Sequence, residues 1–138
     1  MAARNIHHDA MVAALIADGW TITDDPLKLS FGNRKVYVDI GAQRAIGAEK
    51  GDRRIAVEVQ SFLGLSEVHD LEGAIGQYVL YRTLLRVSEP DRALYMAVRP
   101  VVADGILAEP IGRLLLEEER IKVVVFDSAA RRIVKWTE

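Results

Sequence analysis

The sequence predicts an α/β (α+β) domain in which helices flank the faces of a mixed central β-sheet. Two observations predict this fold class. Segments in which apolar residues alternate, as in strands, are separated by segments in which apolar residues recur at helical spacing. The chain has 138 residues, the size of one ordinary domain, and no internal repeat, so residues 1–138 are expected to form a single domain.

The first helix is predicted from Asn5 to about Asp18. The Asn5 side chain can accept a hydrogen bond from the first turn, and Gly19 stands where a left-handed stop is favoured. A buried stripe is expected from the apolar residues of this segment, which are Val12, Leu15 and Ile16.

The next segment predicts strands. Residues 20–23 form a short strand that Pro26 ends, and a loop follows to about Arg34. Residues 35–41 alternate as one strand, with Val36, Val38 and Ile40 on one face. Residues 46–49 and 54–62 are expected to form a hairpin around a turn at 50–53.

The second half begins with the longest element, a helix that Ser66 caps and that runs to about Arg86. Residues 93–98 are nearly all apolar, as in a central strand buried on both faces. A helical stretch interrupted at Pro110 follows, over residues 101–107 and 111–119. Residues 122–126 and 132–136 then predict two closing strands.

Composition excludes several classes of protein. Hydrophobic residues make up 50% of the chain and charged residues 28%, with 10 glycines and 4 prolines, which excludes a disordered tail, a collagen-like chain and a low-complexity linker. Without cysteine there is no disulfide framework, thiolate zinc site or cysteine nucleophile, and a reducing cytoplasm is the expected location. The apolar run at residues 10–17 is far shorter than the ~20 residues that span a bilayer, so we expect neither a membrane span nor a signal peptide.

The charge balance bears on partners. With 18 Lys and Arg against 20 Asp and Glu, the net charge is −2, and the basic residues are scattered. Strong non-specific binding to nucleic acid by this chain alone is not expected, because few phosphate counterions would be released. We expect instead that the chain binds a protein partner or forms a homo-oligomer.

Two carboxylates carry the chemical signal. Asp39 and Glu58 each lie among apolar neighbours in a predicted strand, where an unpaired charge costs several kcal/mol. Alternation puts Glu58 and Gln60 on one face, ~6.6 Å apart along the strand. If Asp39 joins that face from a neighbouring strand, the two acids and the Val59 carbonyl offer the oxygen ligands that Mg²⁺ or Mn²⁺ prefers. The alternative is that each acid pairs with an Arg or Lys across the sheet.

These residues resemble a known superfamily. Val38-Asp39, the stretch 56–62 that holds Glu58, and Gln77 with Tyr81 on the next helix resemble the PD-(D/E)XK restriction-endonuclease-like proteins. More closely, the chain is similar to the XisH family, the fdxN element excision controlling factors of cyanobacteria. That resemblance runs along nearly the whole chain, through His8-Asp9, Asp18-Gly19-Trp20, Asp25-Pro26-Leu27-Lys28, Tyr37-Val38-Asp39, Ala48-Glu49-Lys50-Gly51, Ser61-Phe62-Leu63-Gly64, Glu109-Pro110-Ile111-Gly112 and Val125-Phe126-Asp127.

The resemblance implies a restriction-endonuclease-like αβββαβ core. It also implies a role in excising a DNA element, alongside a site-specific recombinase and a small XisI-like partner. In the superfamily pattern Asp39 and Glu58 hold the metal, and a lysine positions the attacking water and offsets charge on the transition state. Gln60 stands in place of that lysine; its amide can bond a water but brings no positive charge.

Two hypotheses therefore stay open, with a third weaker one. The chain is an accessory factor that retains a nuclease-like scaffold and acts through a partner, or it is an active Mg²⁺-dependent endonuclease that uses Asp39, Glu58 and Gln60. The weaker alternative is an oligomerisation module without chemistry.

Several further residues are candidates. Gln77 and Tyr81 share one face of the long helix, and the resemblance implies that such a pair reaches toward the nucleic acid; the alternative is a solvated face. One hypothesis for His8 and Asp9 is that the first helix brings an extra acidic or imidazole group near the metal. The alternative is that the histidine only caps this helix or is partly buried. Two other residues are weaker candidates. Glu49 is an additional ligand or an exposed hairpin charge, and Lys28 contacts phosphate or only solvates the surface.

Overall fold

The computed structural model describes residues 6–47 and 51–137 of the chain. Within them lie four α-helices, a 3-10 turn and eight strands. The helices are α1 (Ile6–Ala17), α2 (Glu67–Ser88), α3 (Pro100–Ala103) and α4 (Pro110–Glu118), with the 3-10 turn at Ile106–Ala108. The strands are β1 (Thr21–Asp24), β2 (Leu27–Phe31), β3 (Arg34–Val38), β4 (Ile40–Gly47), β5 (Gly51–Val59), β6 (Arg92–Val98), β7 (Val123–Asp127) and β8 (Arg132–Trp136).

Six strands form a mixed sheet in the order β1-β4-β5-β6-β7-β8, and β2 and β3 form a separate hairpin. Strand β6 runs parallel to β5 and to β7, and the remaining neighbours are antiparallel. Helices lie against both faces, so the predicted fold class, a mixed central sheet flanked by helices, is confirmed. None of the described helices is long and apolar enough to cross a membrane.

Each face of the sheet has its own apolar cluster. On one face α1 packs through Met11 and Leu15 against inward residues such as Ile55 and Tyr95. On the other face α2, the hairpin and the segment from α3 to α4 cover a second cluster that includes Met96. Strand β5 alternates between the clusters, as predicted, so Glu58 lies on the α2 side, the same side as Ala56.

Helix α1 turns a different stripe inward from the one predicted. Leu15 is buried, but Val12 is only partly buried and Ile16 is 57% exposed. The buried face instead contains His8, Met11, Ala14 and Leu15, at the spacing of three to four residues that one helical face requires. The predicted stop is confirmed, because Gly19 has a φ of 97°. Asn5, the predicted cap, lies outside the described residues.

The loop predicted up to Arg34 is wrong, because this segment forms the β2–β3 hairpin. Leu27 and Leu29 alternate on its inner face and are 3% and 2% exposed. Gly32 starts the two-residue connection with a φ of 61°, which glycine adopts without strain. Pro26 ends β1 but does not prevent a new strand from starting at the next residue.

The single strand predicted over residues 35–41 is also wrong, because the chain bends at Asp39. Strand β3 ends at Val38 in the hairpin, and β4 starts at Ile40 in the main sheet. Val38 therefore joins the cluster under α2, and Ile40 joins the cluster under α1. This bend takes Asp39 out of either ladder.

The predicted hairpin after Asp39 is confirmed, but its first strand is longer than predicted and its second strand starts and ends three residues earlier. Strand β4 pairs with β5 from Ile40↔Val57 to Gly47↔Gly51. Residues 51–53 belong to β5 and not to a turn; residues 48–50 lie outside the described part. Strand β5 ends at Val59 rather than at Phe62, although the Gln60 N–H still donates to the Ala97 carbonyl at 2.9 Å.

The later elements follow the sequence closely. Ser66 caps α2 by accepting from the His69 N–H at 3.2 Å. Strands β6, β7 and β8 lie within a residue or two of their predicted positions. The first predicted helical segment divides into α3 and the 3-10 turn, and Pro110 begins α4 at the first helical position, where proline is tolerated.

Candidate functional site

Asp39 and Glu58 interlock at the end of β5. The Asp39 N–H donates to Glu58 Oε1 at 3.1 Å, and the Val59 N–H donates to Asp39 Oδ2 at 2.8 Å. The bend at Asp39 makes this possible, because it frees the Asp39 backbone from the ladders and turns its carboxylate toward the neighbouring strand. The two acids therefore face one pocket, as the alternation of Glu58 and Gln60 suggested.

The pocket has a volume of ≈ 210 Å³ and a polar wall. Its lining consists of His8, Asp39, Glu58, Val59, Gln60, Ser61 and Gln77. No Lys or Arg belongs to this lining, and none in the described part of the chain forms an ion pair with either acid. The alternative of a structural ion pair with Lys or Arg is therefore not what the described residues form.

The surroundings of the two acids disfavour the charged form of Glu58. Burial, followed by the negative charge of Asp39, raises the pKa of Glu58 from its usual value near 4.5 to about 9, although the hydrogen bond from the Asp39 N–H acts in the opposite direction. At neutral pH Glu58 consequently holds a proton beside the Asp39 carboxylate. Tyr81 is 8% exposed and lies close by, and burial together with the charges of Glu58 and Asp39 raises its pKa to about 12.

His8 closes the pocket from the α1 side. It is 7% exposed, with Nε2 at 2.9 Å from Asp25 Oδ1 and Nδ1 at 3.9 Å from Asp39 Oδ1. The first helix therefore brings an imidazole to the acids, one of the two alternatives that the sequence left open. This places a nitrogen ligand or hydrogen-bonding group beside Asp39.

The two glutamines bond to each other at the mouth of the pocket. Gln60 Nε2 donates to Gln77 Oε1 at 2.5 Å. A second depression of ≈ 220 Å³ shares both glutamines and continues along α2 past Gly73 to Asp70. The two bonded amides therefore lie where the pocket and this second depression meet.

The model of the XisH protein family matches residues 1–134. The chain belongs to the XisH family. No curated protein matches it.

Two solved structures of XisH-type proteins resemble this chain over almost its whole length. An XisH family protein from Nostoc punctiforme PCC 73102 is 32% identical, with a TM-score of 0.88 over 97% of this chain and 100% of that one. An fdxN element excision controlling factor protein from Anabaena variabilis is 36% identical, with a TM-score of 0.88 over 98% of this chain and 100% of that one. These likenesses cover both the pocket and its surroundings.

Not every candidate residue of this XisH-family chain reaches the pocket. Lys28 is exposed on β2 opposite Tyr37, and Asp9 is exposed on α1; neither lines the pocket. Tyr81 lies beside the acids but outside the lining, and Glu49 lies outside the described residues. Across residues 6–47 and 51–137, no cluster of three or more acidic or imidazole side chains has the geometry to hold a metal.

Sequence reasoning missed two residues around the XisH pocket. Asp25 enters the sequence analysis only within the stretch Asp25-Pro26-Leu27-Lys28 and with no role at the site, yet it holds His8. Arg99 donates to the Ser61 carbonyl at 2.7 Å at the rim of the pocket. Arg99 had a usable signal, because it directly follows the buried strand β6, and the carboxyl ends of parallel strands are where sites gather in α/β sheets.

Proposed function

We propose that this protein is a controlling factor for excision of a DNA element, and that the pocket of Asp39 and Glu58 binds Mg²⁺ or Mn²⁺. The observation that carries the cation site is the interlock of the two carboxylates without a Lys or Arg in the lining. The excision role is supported by 36% identity, over almost the full length, with the fdxN element excision controlling factor protein of Anabaena variabilis.

The donor set suits a hard cation. Two carboxylates and the Val59 carbonyl supply oxygen ligands, and Mg²⁺ commonly keeps several waters in its remaining positions. Glu58 holds a proton at neutral pH, so a cation would take the place of that proton and remove the repulsion between the acids. A bound divalent ion supplies Lewis-acid polarisation of a phosphodiester and a more acidic water.

The hydrogen-bonded amides of Gln60 and Gln77 favour a controlling factor over an enzyme that hydrolyses phosphodiester bonds. Gln60 carries no positive charge and its amide nitrogen already donates to Gln77, so it offers a phosphoryl transition state less electrostatic stabilisation than a lysine would. We infer that the pocket binds DNA phosphate through the cation and that the outcome depends on an XisI-like protein and a site-specific recombinase. The scaffold is then an αβββαβ core of the PD-(D/E)XK type that has kept its two acids but has glutamine in place of the lysine.

The second candidate is an active Mg²⁺-dependent endonuclease. The pocket that Asp39 and Glu58 share, with Val59 also in its lining, favours it, as does the depression that leads from Gln60 along α2. In this case Arg99 or a partner would have to supply the missing positive charge.

Calorimetric titration with Mn²⁺ tests the cation site. Wild type should bind the ion, Asp39→Asn and Glu58→Gln should lose the binding, and Asp9→Asn should retain it, because Asp9 is exposed and outside the lining. Equal binding by all four proteins would exclude the site.

A plasmid-nicking assay then separates the two candidates. It is run with Mn²⁺, in the presence and absence of the XisI-like protein that co-purifies in a pull-down. Binding of Mn²⁺ and of the partner without nicking supports the controlling factor, whereas nicking that Glu58→Gln abolishes supports the endonuclease. Failure to bind Mn²⁺ contradicts both candidates, and failure to bind the partner contradicts the controlling factor.

A further inference from the structure

A groove lies between the tip of the β2–β3 hairpin and the outer surface of α2. We call it the tip groove; its volume is ≈ 420 Å³, and it is lined by Phe31, Arg34, Lys35, Val36, Leu80 and Leu84. It involves none of the residues of the Asp39–Glu58 pocket, so it is independent of the cation site.

The tip groove is an apolar surface that the chain leaves open. Leu27, Leu29 and Phe31 share the inner face of β2, and the first two are buried against the cluster under α2. Phe31 is 56% exposed, and Leu80 on α2 is 48% exposed. Large apolar side chains that line one concave surface together are typical of a binding site, whereas scattered exposed ones are not.

The rim of the tip groove is basic. Arg34 and Lys35 are exposed on β3, and neither forms an ion pair within residues 6–47 and 51–137. Two adjacent cations beside an apolar groove favour an occupant that is apolar on one side and acidic on the other.

Helix α4 of the same chain has that chemistry. Ile111 and Leu114 are 46% and 59% exposed, three residues apart on the outer face of the helix. Glu117 and Glu118 continue this face by one turn; both are exposed, and no cation in the described part of the chain pairs with them. The opposite face of α4 packs through Leu115 and Leu116 against the cluster under α2.

We propose that the tip groove binds α4 of a second copy of this chain. Ile111 and Leu114 would pack against Phe31 and Leu80, and the acidic turn of α4 would lie against the basic rim. The groove and α4 both border the cluster on the α2 side of the sheet, and the contact is reciprocal when each copy places its α4 in the groove of the other, as in a two-fold dimer.

Charge reversal tests this pairing by sedimentation velocity. Wild type should sediment as a dimer. Arg34→Glu with Lys35→Glu, and separately Glu117→Lys with Glu118→Lys, should each weaken dimerisation by at least about tenfold, because like charges then face each other. An equimolar mixture of the two doubly substituted proteins should dimerise again, since every groove then faces an α4 of opposite charge.

The matched control reverses two cations elsewhere. Arg132→Glu with Lys135→Glu changes exposed residues of β8 by the same net charge and should leave the dimer intact. Circular dichroism verifies that each protein is folded. A monomeric wild type, a mixture that stays monomeric, or a control that dissociates as far as the rim variant would overturn the proposal.

One further outcome would reassign the groove. If wild type is monomeric, and the XisI-like protein binds it but does not bind the Arg34→Glu, Lys35→Glu protein, the groove belongs to that partner and the self-association is refuted. The Mn²⁺ titration of the pocket is unaffected by any of these outcomes, so the two proposals fail separately.

Discussion

The protonation of Glu58 depends on the groups that surround its carboxyl group. Its carboxyl is buried beside Asp39, and the chain provides the pair with no guanidinium or ammonium in the pocket lining. The protein therefore compensates the second negative charge with a proton. If the proposed cation binds here, we expect the site to respond both to pH and to the ion, because each acts on the Glu58 carboxyl group.

The pH dependence of stability should change when Glu58 is replaced by Gln. The folded-state pKa of about 9 lies above the usual value near 4.5, so the folded protein binds the extra proton between these limits. The Glu58 contribution is fully present below about pH 4.5 and is lost as the pH rises toward about 9. Glu58→Gln stays neutral and should be more stable than wild type at about pH 8, by a few kcal/mol.

Urea unfolding at about pH 5, 7 and 9 measures this difference. The free energy of unfolding of wild type should fall across the series more steeply than that of Glu58→Gln. Parallel slopes for the two proteins would contradict the raised pKa. Asp9→Asn, at an exposed acid, is the matched control and should follow wild type.

Replacing Gln60 by Lys tests whether the charge alone separates this chain from a nuclease. The substitution breaks the bond to Gln77 and brings an ammonium to the acids. If the pocket holds a cation, one preorganised electrostatic contact should raise Mn²⁺-dependent plasmid nicking by roughly 10²-fold, and Glu58→Ala in the same chain should abolish it. No nicking in either protein, with the XisI-like partner present, would support the controlling role.

At the scale of elements, a helix or strand was predicted correctly where the residue pattern within that element alone determines it. Helix α2 has strong helical periodicity and β6 is a nearly continuous apolar run, and both elements were predicted within two residues. The β2–β3 hairpin was missed because its strands are short and follow Pro26, although Gly32 before Asn33 was a usable turn signal. The bend at Asp39 was hidden, because Val36, Val38 and Ile40 alternate without interruption while the chain passes from one sheet to the other.

For the same reason, only part of the candidate site could be predicted from the sequence. Glu58 and Gln60 share a face by strand alternation alone, Asp39 was singled out as a carboxylate among apolar neighbours, and the resemblance added Gln77. The contacts of Asp25 with His8 and of Arg99 with Ser61 join residues 17 and 38 positions apart, which no local pattern reports. Those contacts depend on how α1 and β6 approach the end of β5.

The packing of α4 against the 3-10 turn depends on Gly112. A Cβ at this position would overlap the backbone of Ile106 and Leu107, which cannot yield like a flexible side chain. Gly112→Ala should therefore destabilise the protein by roughly 1–3 kcal/mol. Gly76→Ala on the open face of α2 meets nothing within 4 Å and should stabilise it by about 0.5–1 kcal/mol.

Thermal unfolding of the two glycine variants measures both effects. Opposite signs are expected, since both substitutions add one methyl group to a helix and differ only in what surrounds it. A melting temperature for Gly112→Ala equal to that of wild type would contradict the close approach of α4 to the 3-10 turn.

At the scale of the whole molecule, the pocket joins parts that are otherwise separate. His8 comes from the α1 face, Gln77 from the α2 face, and Asp39 from the bend between hairpin and sheet. An ion bound there stabilises the folded state by mass action, by about 2.7 kcal/mol at a hundredfold excess over the dissociation constant.

Saturating Mn²⁺ should therefore raise the melting temperature of wild type by several degrees. Asp39→Asn should show no such rise, and calorimetric scans with and without the ion measure the difference. The Arg34→Glu, Lys35→Glu protein should respond like wild type, because its groove lies outside the pocket. A rise of equal size in Asp39→Asn would show that the ion acts elsewhere.

The outer strands of the main sheet have a consequence for how the molecule resists aggregation. Strands β1 and β8 have four and five residues, and each has an irregular register with its neighbour. Arg132 and Lys135 place exposed charges along β8. Short, bulged and charged border strands are poor templates for another chain's backbone, so fibril-like growth by strand addition is suppressed. Contacts between copies are thereby left to side-chain surfaces, where a few substitutions can adjust them without exposing the sheet.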